Sequence, residues 1–257
     1  MSRLSVLARE LWRNRGVPFD RFQAWRRPDR ILLLHIPKTA GTSLRRMLQD
    51  EYGCRMVYPG DFHLERLANG WYRPGRDLVQ DFASLPPHNV LAGHVTAAVA
   101  DLLPVPYRTA TFLRDPVQRS LSMLNHLSGI LDTPVGKLAA DPDFIAFNIA
   151  DFQTRSLGAE GICDAYDIPA ADDRMLARAL ERLETLDFVG LTERFEESCH
   201  LFDHRFGTRI ARFIRRENVL RPAGNELAEL IPIVEPHLRR DQVLYDAVLS
   251  RFNAAAA

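Results

Sequence analysis

The stretch Ile31, Leu32, Leu33, Leu34, His35, Ile36, Pro37, Lys38, Thr39, Ala40, Gly41, Thr42, Ser43, Leu44 constrains the fold more than any other part of the chain. An apolar run stops at a proline, turns through small residues and continues as a polar–apolar helical pattern. Nearly continuous aliphatic residues suit a strand of a parallel sheet buried on both faces. The turn that follows presents backbone N–H groups at the start of a helix, where the helix dipole and the unpaired donors favour an anion. Lys38 sits inside that turn. An anionic, phosphate-bearing ligand is the first expectation.

The rest of the chain repeats the alternation. Strands are expected at 31–36, 54–58, 89–93, 108–114 and 187–191. Helices are expected at 41–52, 116–131, 141–157, 172–186 and 193–206, with a loop and further helix toward the end. This pattern predicts an α/β fold: a P-loop-like doubly wound sheet of about five mainly parallel strands flanked by helices. Ligands of such sheets bind at the carboxyl ends of the strands, where the turn at 37–43 lies. Residues 1–30 are rich in arginine, with Leu4, Leu7 and Leu11 near helical spacing beside Trp12. They read as a basic helical extension, either packed on the domain or touching a membrane surface or polyanion. Residues 31–257 read as one α/β domain.

Lysine plus arginine number 33 and aspartate plus glutamate 33, so no global field draws the chain to nucleic acid or membrane. Any anion site is therefore local. Only Lys38 and Lys137 are lysines, and one of the two falls in the anion turn. Cys54, Cys163 and Cys199 are far apart and lack metal-ligand spacing, which points to a reducing compartment. No apolar run approaches the ~20 residues of a membrane span, and the N-terminus lacks a signal-peptide core. A cytoplasmic location is expected.

In the turn itself, Gly41 lets backbone approach a ligand, Thr42 and Ser43 add hydroxyls, and Lys38 adds a compact charge. The Walker pattern G-x-x-x-x-G-K-[ST] is absent: the lysine precedes the glycine by three residues, and no earlier glycine shapes the large loop. A second anion site follows in Thr109, Ala110, Thr111, Phe112, Leu113, Arg114, Asp115, Pro116, Val117, Gln118, Arg119, Ser120, Leu121, Ser122. Asp115 is a good helix cap and Pro116 suits the first helical position. Two helical turns bring Ser122 back to nearly the face of Asp115, so Arg114 and Ser122 can converge on one anion, with Arg119 nearby. Two such sites suit a ligand with two separated phosphate-like groups.

These two blocks resemble the signatures of the sulfotransferases that use 3′-phosphoadenylyl sulfate (PAPS), in particular the branch containing the heparan sulfate 2-O- and 6-O-sulfotransferases. The first is similar over residues 35–43 and the second over 113–122. Shorter similarities lie at 92–95, 153–157 and 189–198, in the order of that family. The resemblance implies that Lys38, Thr39, Ala40, Gly41, Thr42 and Ser43 hold the 5′-phosphosulfate and that Arg114 and Ser122 hold the 3′-phosphate. It implies that His94 is the base, with Lys38 stabilising the leaving group, and it requires no metal. Ala92 stands where the 2-O branch carries a second histidine, so the resemblance implies sulfuryl transfer without fixing a 2-O acceptor.

The acceptor implied is a hydroxyl of a glycan or small molecule, a carbohydrate first among them. His35 is expected to support the first loop. His63 is a further candidate base or acceptor contact, and Arg155 is an expected contact to acceptor or cofactor, although it also sits near a helix end that Gly158 would close. Thr192 is expected to cap the helix that follows it. Arg215, Arg216 and Arg221 form a late basic cluster that either closes over the nucleotide or is a solvated face. Two other classes of function stay open at this point: a P-loop-type phosphotransferase (kinase) and a non-catalytic nucleotide-binding module.

Overall fold

The aliphatic run forms the central strand of one sheet in the computed structural model, which describes residues 30–53, 56–58, 75–85, 88–161, 168–214 and 225–255. The strands are β1 (Ile31–Leu34), β2 (Val57–Tyr58), β3 (Val90–Gly93), β4 (Arg108–Leu113) and β5 (Phe188–Leu191). They lie in the order β2-β3-β1-β4-β5, and every neighbouring pair is parallel. This is an α/β doubly wound sheet. The expected helical extension at 1–30, apart from Arg30, lies outside the described residues, as do His63, Arg215, Arg216 and Arg221.

Among the described residues the helices of seven or more residues are α1 (Gly41–Tyr52), α2 (Pro116–Leu131), α3 (Pro142–Asn148), α4 (Phe152–Gly158), α5 (Asp173–Thr185), α6 (Phe195–Phe206) and α7 (Arg239–Ala255). Alternate residues of β1 explain why its sequence is apolar throughout. Ile31 and Leu33 pack with Leu44 and Leu48 of α1 and Phe202 of α6. Leu32 and Leu34 pack on the other face with Phe152 of α4, Leu183 of α5 and Leu244 of α7. Each β1 side chain is at most 1% exposed, so a polar residue at any of the four positions would be buried without a partner. Among the described residues no helix is long and apolar enough to cross a membrane.

Three local expectations are corrected. The helix expected over 141–157 is two helices, α3 and α4. The break falls at Asp151, which takes the left-handed conformation (φ 43°, ψ 41°). Its carboxylate accepts the backbone N–H groups of Arg240 and Asp241, and that tertiary contact outweighs the local helical pattern. Gly158 does not end its helix by a left-handed turn. A side chain there would place Cβ 2.0 Å from the carbonyl oxygen of Met175, so glycine is needed for α4 to press against α5. Thr192 is not a helix cap. Its hydroxyl and its backbone N–H both donate to the carbonyl of Leu113, which ties the end of β5 to the end of β4. Helix α6 starts later, with Arg194 in the cap position.

Candidate functional site

Three adjacent strands deliver one polar residue each immediately past their carboxyl ends. His94 follows β3, His35 follows β1 and Arg114 follows β4. Pairing extends one residue beyond β1, because the His35 N–H donates to the carbonyl of Gly93 at 2.9 Å. That bond sets the two histidines side by side, with ring centroids 4.3 Å apart and planes tilted by 33°.

Nδ1 of His94 lies 2.7 Å from the carbonyl oxygen of His35. A carbonyl only accepts, so Nδ1 carries the proton and Nε2 is the basic nitrogen of the neutral ring. Burial lowers the pKa of His94, the bond to the His35 carbonyl raises it, and the charge of Arg45 lowers it further. His35 is held well below its ordinary value by burial, then by His94, Arg45 and Lys38. Both rings are thus biased toward the neutral form.

His35 also explains Gly41. A Cβ at Gly41 would stand 2.0 Å from Cδ2 of His35, so the ring occupies the space a side chain would need. The sequence argument, close approach to a ligand, misses this reason. The turn itself is backbone-strained: Lys38 (φ 72°) and Ala40 (φ 65°) are left-handed without being glycine. Thr39, 1% exposed, donates its hydroxyl to the carbonyl of Ile36 at 2.9 Å and pins the turn from within. Its hydroxyl serves the loop, Thr42 is exposed, and Ser43 is half-buried at the start of α1.

Two arginines tie this turn to the second block. Arg114 Nη1 donates to the carbonyl of Lys38 at 3.2 Å, and Arg119 Nε donates to that of Pro37 at 3.2 Å. Arg119 is fully buried, donates Nη1 to the carbonyl of Asn148 at 2.7 Å, and lies 4.2 Å over the ring of Phe152. Its part is to brace the turn. Asp115 caps α2 as expected, accepting from the N–H of Gln118 at 2.9 Å, with Pro116 in the first turn. Ser122 is buried on the same helix, one turn beyond Arg119.

The result is a concentration of positive charge. Burial lowers the pKa of Lys38, and Arg114 and Arg119 lower it further. Burial also lowers Arg114, while Glu193 and Asp115 act in the opposite direction. The pKa of His126, one turn past Ser122 and largely open to water, is lowered by partial desolvation and then by the charge of Lys38. This imidazole beside the anion turn has no signature in the sequence. Its only clue is the spacing Arg119, Ser122, His126 along one helical face.

Sequence reasoning also misses the clasp on Arg114. The side chain of Gln153 accepts from the N–H of Arg114 at 2.9 Å and donates to its carbonyl at 2.8 Å, as a neighbouring strand would. Arg155, expected at the acceptor, is corrected to a brace of the fold. It is 2% exposed, and its guanidinium donates to the carbonyls of Pro169, Ala146, Phe147 and Ile168. Those bonds hold α3, α4 and the segment before α5 together. A scan against protein-family models finds no match to the chain, and a search of the curated proteins finds none either.

Proposed function

We propose that this chain is a sulfotransferase that moves a sulfuryl group from PAPS to a hydroxyl of an acceptor, with a carbohydrate the first candidate. The observation that carries the reading is the convergence of His94, the turn at 37–40 and Arg114 at the carboxyl ends of three adjacent parallel strands. An oriented base, a cationic cradle and a second cationic position then stand on one rigid edge.

In this reading the acceptor hydroxyl gives its proton to Nε2 of His94 while its oxygen attacks sulfur. The bond between sulfur and the bridging oxygen of the 5′-phosphosulfate breaks, and adenosine 3′,5′-bisphosphate leaves. Lys38 and the N–H groups at the start of α1 stabilise the charge growing on that oxygen. Thr42 and Ser43 offer hydroxyls to the 5′ end, and Arg114 with Ser122 takes the 3′-phosphate.

The test is incubation with PAPS and a panel of glycan and small-molecule alcohols, read as sulfate transfer by mass. Transfer that persists in a chelator separates this reading from a magnesium-dependent kinase. Thermal stabilisation by the bisphosphate product is a faster check: at ~100 times its Kd it adds about 2.7 kcal/mol. A shift with magnesium and ATP, and none with the bisphosphate, would overturn the proposal.

A further inference from the structure

Arg114 is placed by its main chain and its Nη1, and neither involves a carboxylate. Gln153 clasps the backbone, and Nη1 donates to the carbonyl of Lys38. Beside its Nε, at 3.8 Å, stands Oε1 of Glu193. That distance is too long for a hydrogen bond, and Nε donates to no described residue. The pair is Coulombic.

Glu193 is itself fixed by other groups. Oε1 accepts the N–H of Asp115 at 3.1 Å, and Oε2 accepts the hydroxyl of Tyr245 from α7 at 3.1 Å. A negative charge is therefore anchored against Arg114 without being needed to orient it. Asp115, the other carboxylate acting on Arg114, points its Oδ1 to the N–H of Gln118. Glu193 and Arg114 side chains are 34% and 11% exposed, so water screens the pair only in part.

From this geometry we infer that Glu193 is a fixed counter-charge that weakens the hold of Arg114 on a phosphate and so sets how readily the bisphosphate product leaves. The inference rests on the donor-site reading above. Its sign follows from the contacts. Removing the charge leaves the clasp by Gln153 and the bond to Lys38 intact, while the field opposing an anion at Arg114 falls. A residue that merely supported Arg114 would give the opposite sign, because its loss would weaken binding.

The experiment is calorimetric titration of wild type and Glu193→Gln with adenosine 3′,5′-bisphosphate and with adenosine 5′-monophosphate. The amide keeps an oxygen for the N–H of Asp115, removes the charge, and puts an NH2 where Oε2 stood, which can donate to the Tyr245 hydroxyl in place of accepting from it. The bisphosphate is expected to bind about fivefold tighter to the variant, with the monophosphate changed by less than about twofold. Should Glu193→Gln fail to fold, Glu193→Asp draws the carboxylate back by one methylene and is expected to tighten the bisphosphate by a smaller factor, still above about twofold. A bisphosphate affinity within about twofold of wild type, or weaker, overturns the inference, as does equal tightening of both ligands. Wild-type protein that binds no bisphosphate overturns the donor-site reading itself, and this inference with it.

Discussion

Asp151 and Asp241 each satisfy the start of the helix that the other precedes or begins. Asp151, ahead of α4, accepts the N–H groups of Arg240 and Asp241 at 2.8 and 3.0 Å through one oxygen. Asp241, in the first turn of α7, accepts those of Gln153 and Thr154 at 3.1 and 2.7 Å. Helix starts leave unpaired N–H groups, and here four of them, two at each helix, are bound by exchange across some ninety residues of chain. Gln153, whose own N–H is bound by Asp241, is the residue that clasps Arg114. The candidate anion site is thus connected to the far end of the described chain.

This exchange has a pH dependence. Burial pushes the carboxyl of Asp241 up to about 6, against the pull of the Thr154 and Gln153 N–H groups, with Asp151 raising it and Arg119 lowering it. The native state therefore binds this proton more tightly than the unfolded chain, whose aspartate titrates near ~3.9. Ionisation above pH ~6 costs the fold about 3 kcal/mol, and that cost is removed as pH falls from ~6 toward ~4. Wild type compared with Asp241→Asn by chemical denaturation should gain relative stability between pH 7.5 and 5. A difference that is flat, or that grows with pH, counts against the assignment.

Replacing His94 with alanine should lower turnover by roughly 10²–10⁴-fold while leaving bisphosphate affinity nearly unchanged. Because burial comes first among the influences that lower its pKa, the acid limb of kcat/KM should fall below pH ~6.5, with activity lost as His94 takes up a proton. Steady-state sulfuryl transfer across pH checks both. Near-normal turnover in the variant removes His94 as the base.

Gly41→Ala tests whether packing on His35 is what selects glycine. A Cβ 2.0 Å from the ring forces His35 to move, and the His94 ring, 4.3 Å from it, is disturbed through that ring contact. Overpacking of this kind costs ~1–3 kcal/mol, so both the melting temperature and the turnover should drop. Unchanged stability would mean that the ring has another place to go.

Arg155→Lys should behave as a loss of structure rather than of substrate affinity. A lysine has no planar fork to bridge carbonyls of α3 and of the segment before α5, and each buried carbonyl left without a donor costs ~1–3 kcal/mol. The expected result is a large fall in stability with KM for the acceptor unchanged in the folded fraction. An intact melting temperature with a raised KM would return Arg155 to the acceptor site.

The parallel sheet and the place of the turn at 37–40 are legible in the sequence because their causes are local. Continuous aliphatic strands, a proline, a capping Asp115 and Pro116 act within a few residues of where they stand. The corrections have distant causes. Nothing near Asp151 announces that two N–H groups from α7 will stop a helix there, and nothing near Arg114 announces a side chain 39 residues later that pairs with its backbone. The sequence points to close ligand approach at Gly41 and to a helix end at Gly158, whereas each is selected by what lies against it: a histidine ring and a carbonyl. A strand-end place for His94 beside the turn is legible too, while the order β3-β1-β4, which sets His35 between His94 and Arg114, has no local signal.

Synthesis runs from the N-terminus, and Asp241 and Tyr245 come after every other residue of the site. A nascent chain can pair its strands before α7 leaves the ribosome, but the first turn of α4 then lacks the Asp241 carboxylate and Glu193 lacks the Tyr245 hydroxyl. The contacts of the candidate anion site are therefore complete only once α7 has been made, and the same helix supplies Leu244 to the core on one face of β1. A chain stalled ahead of α7 would hold the strand-end residues without the carboxylate and hydroxyl contacts that fix Gln153 and Glu193 around Arg114.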